Sequence, residues 1–317
     1  MAVSGSRIVF RRPPRLQPGM TIGVIAPASA VRDPHLEAGI EAIRARGYQV
    51  ETGNGLYNRH GFLAGTDRGR AQDFMDMFAR KEIDAVFCAR GGYGASRILE
   101  HVDWEVVRRN PKPFVGYSDI TALQLAMERF TGQITLHGPM VTTLGEGLSA
   151  PAEVCFWSML EKSEPPGAYN CQGADVKTLV GGKAEGRLAG GNMTLLCAAV
   201  GTPETPDFRD RIVLLEDIGE PAYRIDRMLV HLLRSGLLQQ AAGFVIGTAT
   251  DWEKEEKTTP VIRLEDVLRE HFVPLGKPTI TGFPFGHIDS PLTIPLGCRA
   301  SLRADDCELT VLEPAVE

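Results

Sequence analysis

The nine residues Pro113-Phe114-Val115-Gly116-Tyr117-Ser118-Asp119-Ile120-Thr121 decide how the first half of the chain is read. The apolar run before Gly116 predicts a short buried strand, the Gly-x-Ser triplet a sharp turn, and Ala122 to Phe130 a helix. Strand, turn and helix in that order lift a serine hydroxyl onto an exposed corner, beside the N–H groups that open the helix. That geometry suits attack on a carbonyl. The full elbow pattern is Gly-x-Ser-x-Gly, and Ile120 stands where its second glycine belongs. The commoner use of such a serine is helix capping in an ordinary turn.

Upstream, strand-like and helix-like segments alternate. Thr21 to Ala26 and Ile83 to Cys88 read as buried strands, while Leu36 to Arg46, Arg68 to Arg80 and Ala95 to Val107 carry helical spacing. Such alternation predicts an α/β fold whose N-terminal domain is Rossmann-like, with a mostly parallel sheet covered on both faces. Ligands gather at the C-terminal ends of such strands. Both Arg90-Gly91-Gly92-Tyr93-Gly94 and Ser118 fall at that kind of position.

From about 145 to 182 glycines and prolines punctuate the chain, with one helix expected at Ala152 to Leu160. The expected partition is a first domain at 1–150, a linker at 151–182 and a second domain at 183–317. The second domain reads as smaller, mixed α/β and rich in β-strands. It opens with a Gly190-Gly191-Asn192 turn and a helix, then a strand from Ile212 to Leu215 runs into Glu216-Asp217-Ile218-Gly219-Glu220. An amphipathic helix spans Ala222 to Ser235, and strand-like segments near 244, 279, 292, 300 and 308 complete it around a helix at Leu264 to Phe272.

The chain has 317 residues, 43% hydrophobic and 23% charged, enough for a sizeable core. A net charge of -6 argues against nucleic-acid partners. Arg7, Arg11, Arg12 and Arg15 cluster, but Pro13 and Pro14 interrupt them, which predicts a solvated arm. No apolar stretch approaches the roughly 18 residues of a membrane span, and the first residues lack a secretory apolar region. The expected address is cytoplasmic. Cysteines 88, 155, 171, 197, 298 and 307 are scattered, as thiols rather than a disulfide or zinc framework. No metal and no cofactor are expected from the histidine spacing.

A serine hydroxyl needs a base, and triads are assembled by folding. Glu216 stands where an apolar strand runs out, and His287 follows the Gly- and Pro-rich Gly282-Phe283-Pro284-Phe285-Gly286. Taken singly, each has an ordinary reading, a salt-bridged carboxylate and a loop histidine bonded to backbone. The glycines at 91, 92 and 94 lack the spacing of a dinucleotide or Walker loop. They could present N–H groups to an oxyanion, or simply make a tight turn. Arg90 could pair with a substrate carboxylate or sit in a structural ion pair. The Tyr223-Arg224-Ile225-Asp226-Arg227 charges are expected to tie their helix to its neighbours.

Together, Arg90 to Arg97, Gly116 to Asp119, Leu215 to Glu220 with Tyr223 to Leu229, and Gly282 to His287 resemble the LD-carboxypeptidases, the serine peptidases (family S66) also called muramoyltetrapeptide carboxypeptidases. The resemblance runs from about Thr21 to the C-terminus. It implies a catalytic triad of Ser118, Glu216 and His287, and an oxyanion hole of the Asp119 and Gly92 N–H groups. It implies release of terminal D-alanine from an L,D-bond of a murein tetrapeptide, by a homodimer whose cleft lies between domains. A microcin-C-immunity-type hydrolase of peptidyl- or aminoacyl-nucleotides would share the triad. Its selectivity would rest on loops in 140–190 and 250–260, where Trp157 and Trp252 lie. A non-catalytic ligand-binding module is the third reading.

Overall fold

The computed structural model describes residues 8–32, 34–248 and 262–317; Arg7, Trp252 and the 250–260 loop lie outside them. The strands in chain order are β1 (Thr21–Ile25), β2 (Gln49–Thr52), β3 (Ala85–Cys88), β4 (Phe114–Gly116), β5 (Thr135–His137), β6 (Gly167–Ala168) and β7 (Lys177–Val180). They continue as β8 (Lys183–Asn192), β9 (Arg211–Glu216), β10 (Gly243–Gly247), β11 (Thr279–Phe283), β12 (Ile294–Leu296), β13 (Arg299–Arg303) and β14 (Glu308–Val311).

The first sheet has the order β12-β5-β4-β3-β1-β2, and β1 to β5 run parallel in the 2-1-3-4-5 arrangement of doubly wound folds. β3 and β4 are buried at every residue, the signature of strands covered on both faces. The helix Asp67–Ala79 starts on Thr66, whose hydroxyl accepts from Gly69 N. The helix after the serine, Thr121–Thr131, stops at Gly132 in the left-handed region. The helix expected over Ala95 to Val107 is split. Val102 is extended, and the Asp103 carboxylate caps a new helix, Trp104–Arg109, by accepting from Glu105 N.

The second sheet has the order β6-β14-β13-β8-β9-β10-β11-β7. β8 to β11 are parallel, and antiparallel strands finish both edges. Gly190-Gly191-Asn192 is the end of β8, not a turn: a Cβ at Gly190 would lie 2.0 Å from Leu214 O, so only glycine lets β8 run this close to β9. Segment 151–182, expected as a linker, carries most of the helix Ala150–Glu161 and the strands β6 and β7 of the second sheet.

The chain also crosses back. β12, from the C-terminal part, pairs antiparallel with β5 of the first sheet, Ile294 opposite His137. One buried apolar cluster runs through both lobes, from Phe87, Val115 and Leu136 to Leu214, Val245 and Phe285. The N-terminal arm is docked rather than solvated. Arg12 donates to Pro314 O and pairs with Glu313, and Arg15 N donates to Glu317 O. Asp226 bonds His271 at 2.6 Å, tying the helix Ala222–Arg234 to Leu264–Phe272, as its charges predict.

Candidate active site

Ser118 follows β4 at the tight turn and has φ +64, a left-handed conformation that side chains rarely adopt. Holding a non-glycine residue there costs about 1–3 kcal/mol, which the surrounding structure must offset. Gly116 makes the corner possible without a second elbow glycine. A Cβ on it would stand 2.7 Å from Ile120 Cγ2, so the space that Ile120 fills is vacated by Gly116.

The glycine loop lies against this corner. A Cβ at Gly91 would stand 3.0 Å from Ser118 Cβ and 3.2 Å from its Oγ. Gly92 has φ +106, and a Cβ there would meet Ser29 Oγ at 2.4 Å. The Asp119 carboxylate clamps the loop by accepting from Ala95 N at 2.7 Å. Burial pushes that carboxyl up to about 6, against the N–H groups of Ala95 and Gly94 and the Arg70 guanidinium. The buried Arg70 also donates to Pro27 O and Gly94 O, joining the loops after β1 and β3. Neither Gly92 N–H nor Asp119 N–H bonds any described residue. Arg90 is half-buried, donates to Ala30 O at 3.4 Å and has no acidic partner among the described residues.

Glu216 is the last residue of β9 and is 1% exposed. Its Oε2 accepts from His287 Nδ1 at 2.7 Å. Burial alone would raise this carboxyl; the His137 ring 3.8 Å away and the hydrogen bond and charge of His287 outweigh it and hold the group well below the usual range. Burial alone would lower the His287 imidazole, and Glu216, with Asp217 behind it, instead raises it. Two glycines shape the seat. A Cβ at Gly286, φ +88, would stand 2.5 Å from Glu216 Oε2, and one at Gly247 would stand 3.1 Å from Glu216 Cβ. The His287 ring rests edge-on against Tyr117, centroids 5.0 Å apart, which puts it beside the residue preceding Ser118. No hydrogen bond joins Ser118 Oγ to this ring among the described residues.

Other side chains of the site carry weaker sequence signals. His137, at the end of β5, places Nε2 3.8 Å from Glu216 Oε1. It precedes Gly138-Pro139, the same strand-end punctuation that singles out His287. Asn192 N donates to Thr121 Oγ1 across the lobes at 3.1 Å, and Asn192 Nδ2 donates to Asp217 Oδ1. Trp157 is a core residue stacked on Tyr48 at 5.4 Å. All six cysteines are free thiols. Among the described residues no group of three or more His, Cys, Asp or Glu is placed to hold a metal, and no helix is long and apolar enough to cross a membrane.

Residues 22–138 match the LD-carboxypeptidase N-terminal domain and 185–302 the LD-carboxypeptidase C-terminal domain. The chain is 38% identical over 308 residues to a probable murein peptide carboxypeptidase of Bacillus subtilis, covering 96% of this chain and 95% of that one. The crystal structure of muramoyltetrapeptide carboxypeptidase from Oxalobacter formigenes superposes with a TM-score of 0.79 at 29% identity, over 92% of this chain and 98% of that one. The microcin C7 self-immunity protein of Escherichia coli is 25% identical over 93% of this chain and 94% of its own. A structure of that immunity protein with glutamyl sulfamoyl guanosine shares the fold, with a TM-score of 0.89 over 96% of this chain and 99% of that one.

Proposed function

From the premise that the chain belongs to the LD-carboxypeptidase family and is a serine carboxypeptidase, we propose that it releases the terminal D-alanine of a murein tetrapeptide, cutting an L,D-peptide bond. The observation that carries this is the 2.7 Å His287–Glu216 bond set beside a serine at φ +64. Ser118 Oγ attacks the carbonyl on the L-centre of meso-diaminopimelate, and His287 Nε2 takes its proton. The tetrahedral oxyanion is held by the N–H groups of Asp119 and Gly92, which bond no described residue. Collapse breaks the C–N bond, and His287 returns the proton to the departing D-alanine amine. Water then repeats the sequence on the acyl-enzyme, and Glu216 steadies the imidazolium throughout without taking its proton.

Arg90, with no acid against it among the described residues, is the group we assign to the free carboxylate of the substrate. The enzyme is read as a cytoplasmic homodimer acting in peptidoglycan recycling. The higher identity to a murein peptide carboxypeptidase than to the immunity protein, 38% against 25%, supports the peptide substrate. An L,D-tetrapeptide and an aminoacyl-sulfamoyl adenylate, assayed side by side, test it. Wild-type protein is expected to cleave the tetrapeptide faster and Ser118→Ala to lose turnover. Preference for the adenylate, or near-wild-type hydrolysis by Ser118→Ala, refutes the reading.

A further inference from the structure

At the ends of β5 and β9, two buried polar atoms face each other. His137 Nε2, at the end of β5, and Glu216 Oε1, at the end of β9, are 3.8 Å apart, and neither has a hydrogen-bond partner among the described residues. Their side chains are 2% and 1% exposed. An ionised carboxylate offers about four acceptor positions and is strongly disfavoured in dry surroundings unless several are filled. Glu216 fills one oxygen with His287 Nδ1–H. Its other oxygen is aimed at His137.

The ring of His137 is held in place. It packs at 5.8 Å against Tyr117 and at 5.6 Å against Phe285, while its main chain pairs with Gly116 on one side and Ile294 on the other. The titratable groups around it are Glu216, Tyr117 and, across the carboxylate, His287. Facing a carboxylate, Nε2 is favoured as the protonated nitrogen, since a lone pair there would meet another lone pair. An approach of about 1 Å makes a normal hydrogen bond.

We propose that His137 is a positioning residue for the triad: it donates Nε2–H to Glu216 Oε1, which keeps the carboxylate ionised and fixes its other oxygen on His287. The inference rests on reading Ser118, His287 and Glu216 as the triad. When His287 takes the serine proton, its new charge is stabilised by a carboxylate that cannot swing away. Without the His137 donor, Glu216 becomes more basic and less fixed. The His287 imidazolium is then harder to deprotonate, and the base is poorly aimed.

Two substitutions separate this role from simple packing. His137→Phe keeps an aromatic ring against Tyr117 and Phe285 but has no donor; His137→Gln loses the ring but keeps an N–H. For His137→Phe we expect kcat on an L,D-tetrapeptide to fall about tenfold, the size of a lost hydrogen bond to a charged group. KM should stay unchanged and the acid limb of the kcat/KM profile should move to higher pH. His137→Gln should restore most of both. The low-field proton NMR signal of the His287–Glu216 bond provides a readout without substrate; it should shift in the Phe variant and return in the Gln variant.

A Phe variant with wild-type kcat, pH profile and proton signal overturns the proposal, as do Phe and Gln variants impaired alike. A signal that responds as stated in protein that cleaves no tetrapeptide sustains the role of His137 and overturns the substrate reading instead. Where the Phe variant does not accumulate as folded protein, His137→Met, also without a donor, takes its place.

Discussion

Replacing Gly286 by alanine tests the seat of the Glu216 carboxylate. The new Cβ would stand 2.5 Å from Glu216 Oε2 and 2.9 Å from its Cδ, at a residue with φ +88. Restoring ordinary contact requires the carboxylate to retreat about 1 Å. That retreat breaks the 2.7 Å bond to His287 Nδ1. Misplacement of a catalytic group by about 1 Å typically lowers the rate on the order of 10²-fold, and the positive φ adds about 1–2 kcal/mol of folding destabilisation. Gly276→Ala is the control, since Gly276 has φ +62 but nothing within 4 Å of an added Cβ. Both variants should lose similar stability in urea, while only Gly286→Ala loses kcat with little change in KM on the tetrapeptide. A Gly286→Ala enzyme as active as Gly276→Ala would refute the claim that this glycine seats the acid.

The acid limb of kcat/KM should lie above the ordinary histidine value of about 6.5, because Glu216 raises His287, and should move to lower pH in Glu216→Gln. For stability the two groups act in opposite directions. The Glu216 contribution is full above its unfolded value, about 4.3, and is lost as pH falls through its depressed folded value. The His287 contribution is full below its unfolded value and is lost as pH rises through the raised folded one, which urea titrations across pH will show. Between the lobes, Arg211 and Glu128 pair at 2.7 Å with side chains 8% and 16% exposed. Arg211→Met should cost about 3 kcal/mol by leaving Glu128 unpaired, and adding Glu128→Leu should recover most of it in chemical denaturation.

β1, β3 and β4 were legible because they are continuous apolar runs ended by Gly, Pro or Ser, whereas β2, Gln-Val-Glu-Thr and mostly exposed, carries no such run. β5 was not, since Thr135-Leu136-His137 is three residues with two polar side chains, buried only because β12 arrives from far along the chain. β6 and β7 were hidden for a related reason. Their glycines and exposed lysine read as linker, and only partners more than a hundred residues on make them strands. Gly190 and Gly191 mislead local reading because a glycine pair signals a turn, whereas here it permits close approach of β9 and of Thr121. The elbow, the acid at the end of β9 and the histidine after Gly286 could all be read because each sits at punctuation. His137 bears the same mark, yet its meaning depends on facing Glu216 across the lobes, which no local pattern records.

The strand that returns from the C-terminal part to flank β5 makes the molecule an interlocked pair rather than two beads on a string. Loop 284–293, which presents His287, is anchored at both ends, in β11 of one sheet and β12 of the other. Swinging the halves widely apart would therefore peel main-chain pairing from β5. Severing the chain near 182 would strip one fragment of its covering strand and leave a sticky border open to foreign pairing. His287 is thus tied by main-chain pairing to the sheet that carries Ser118.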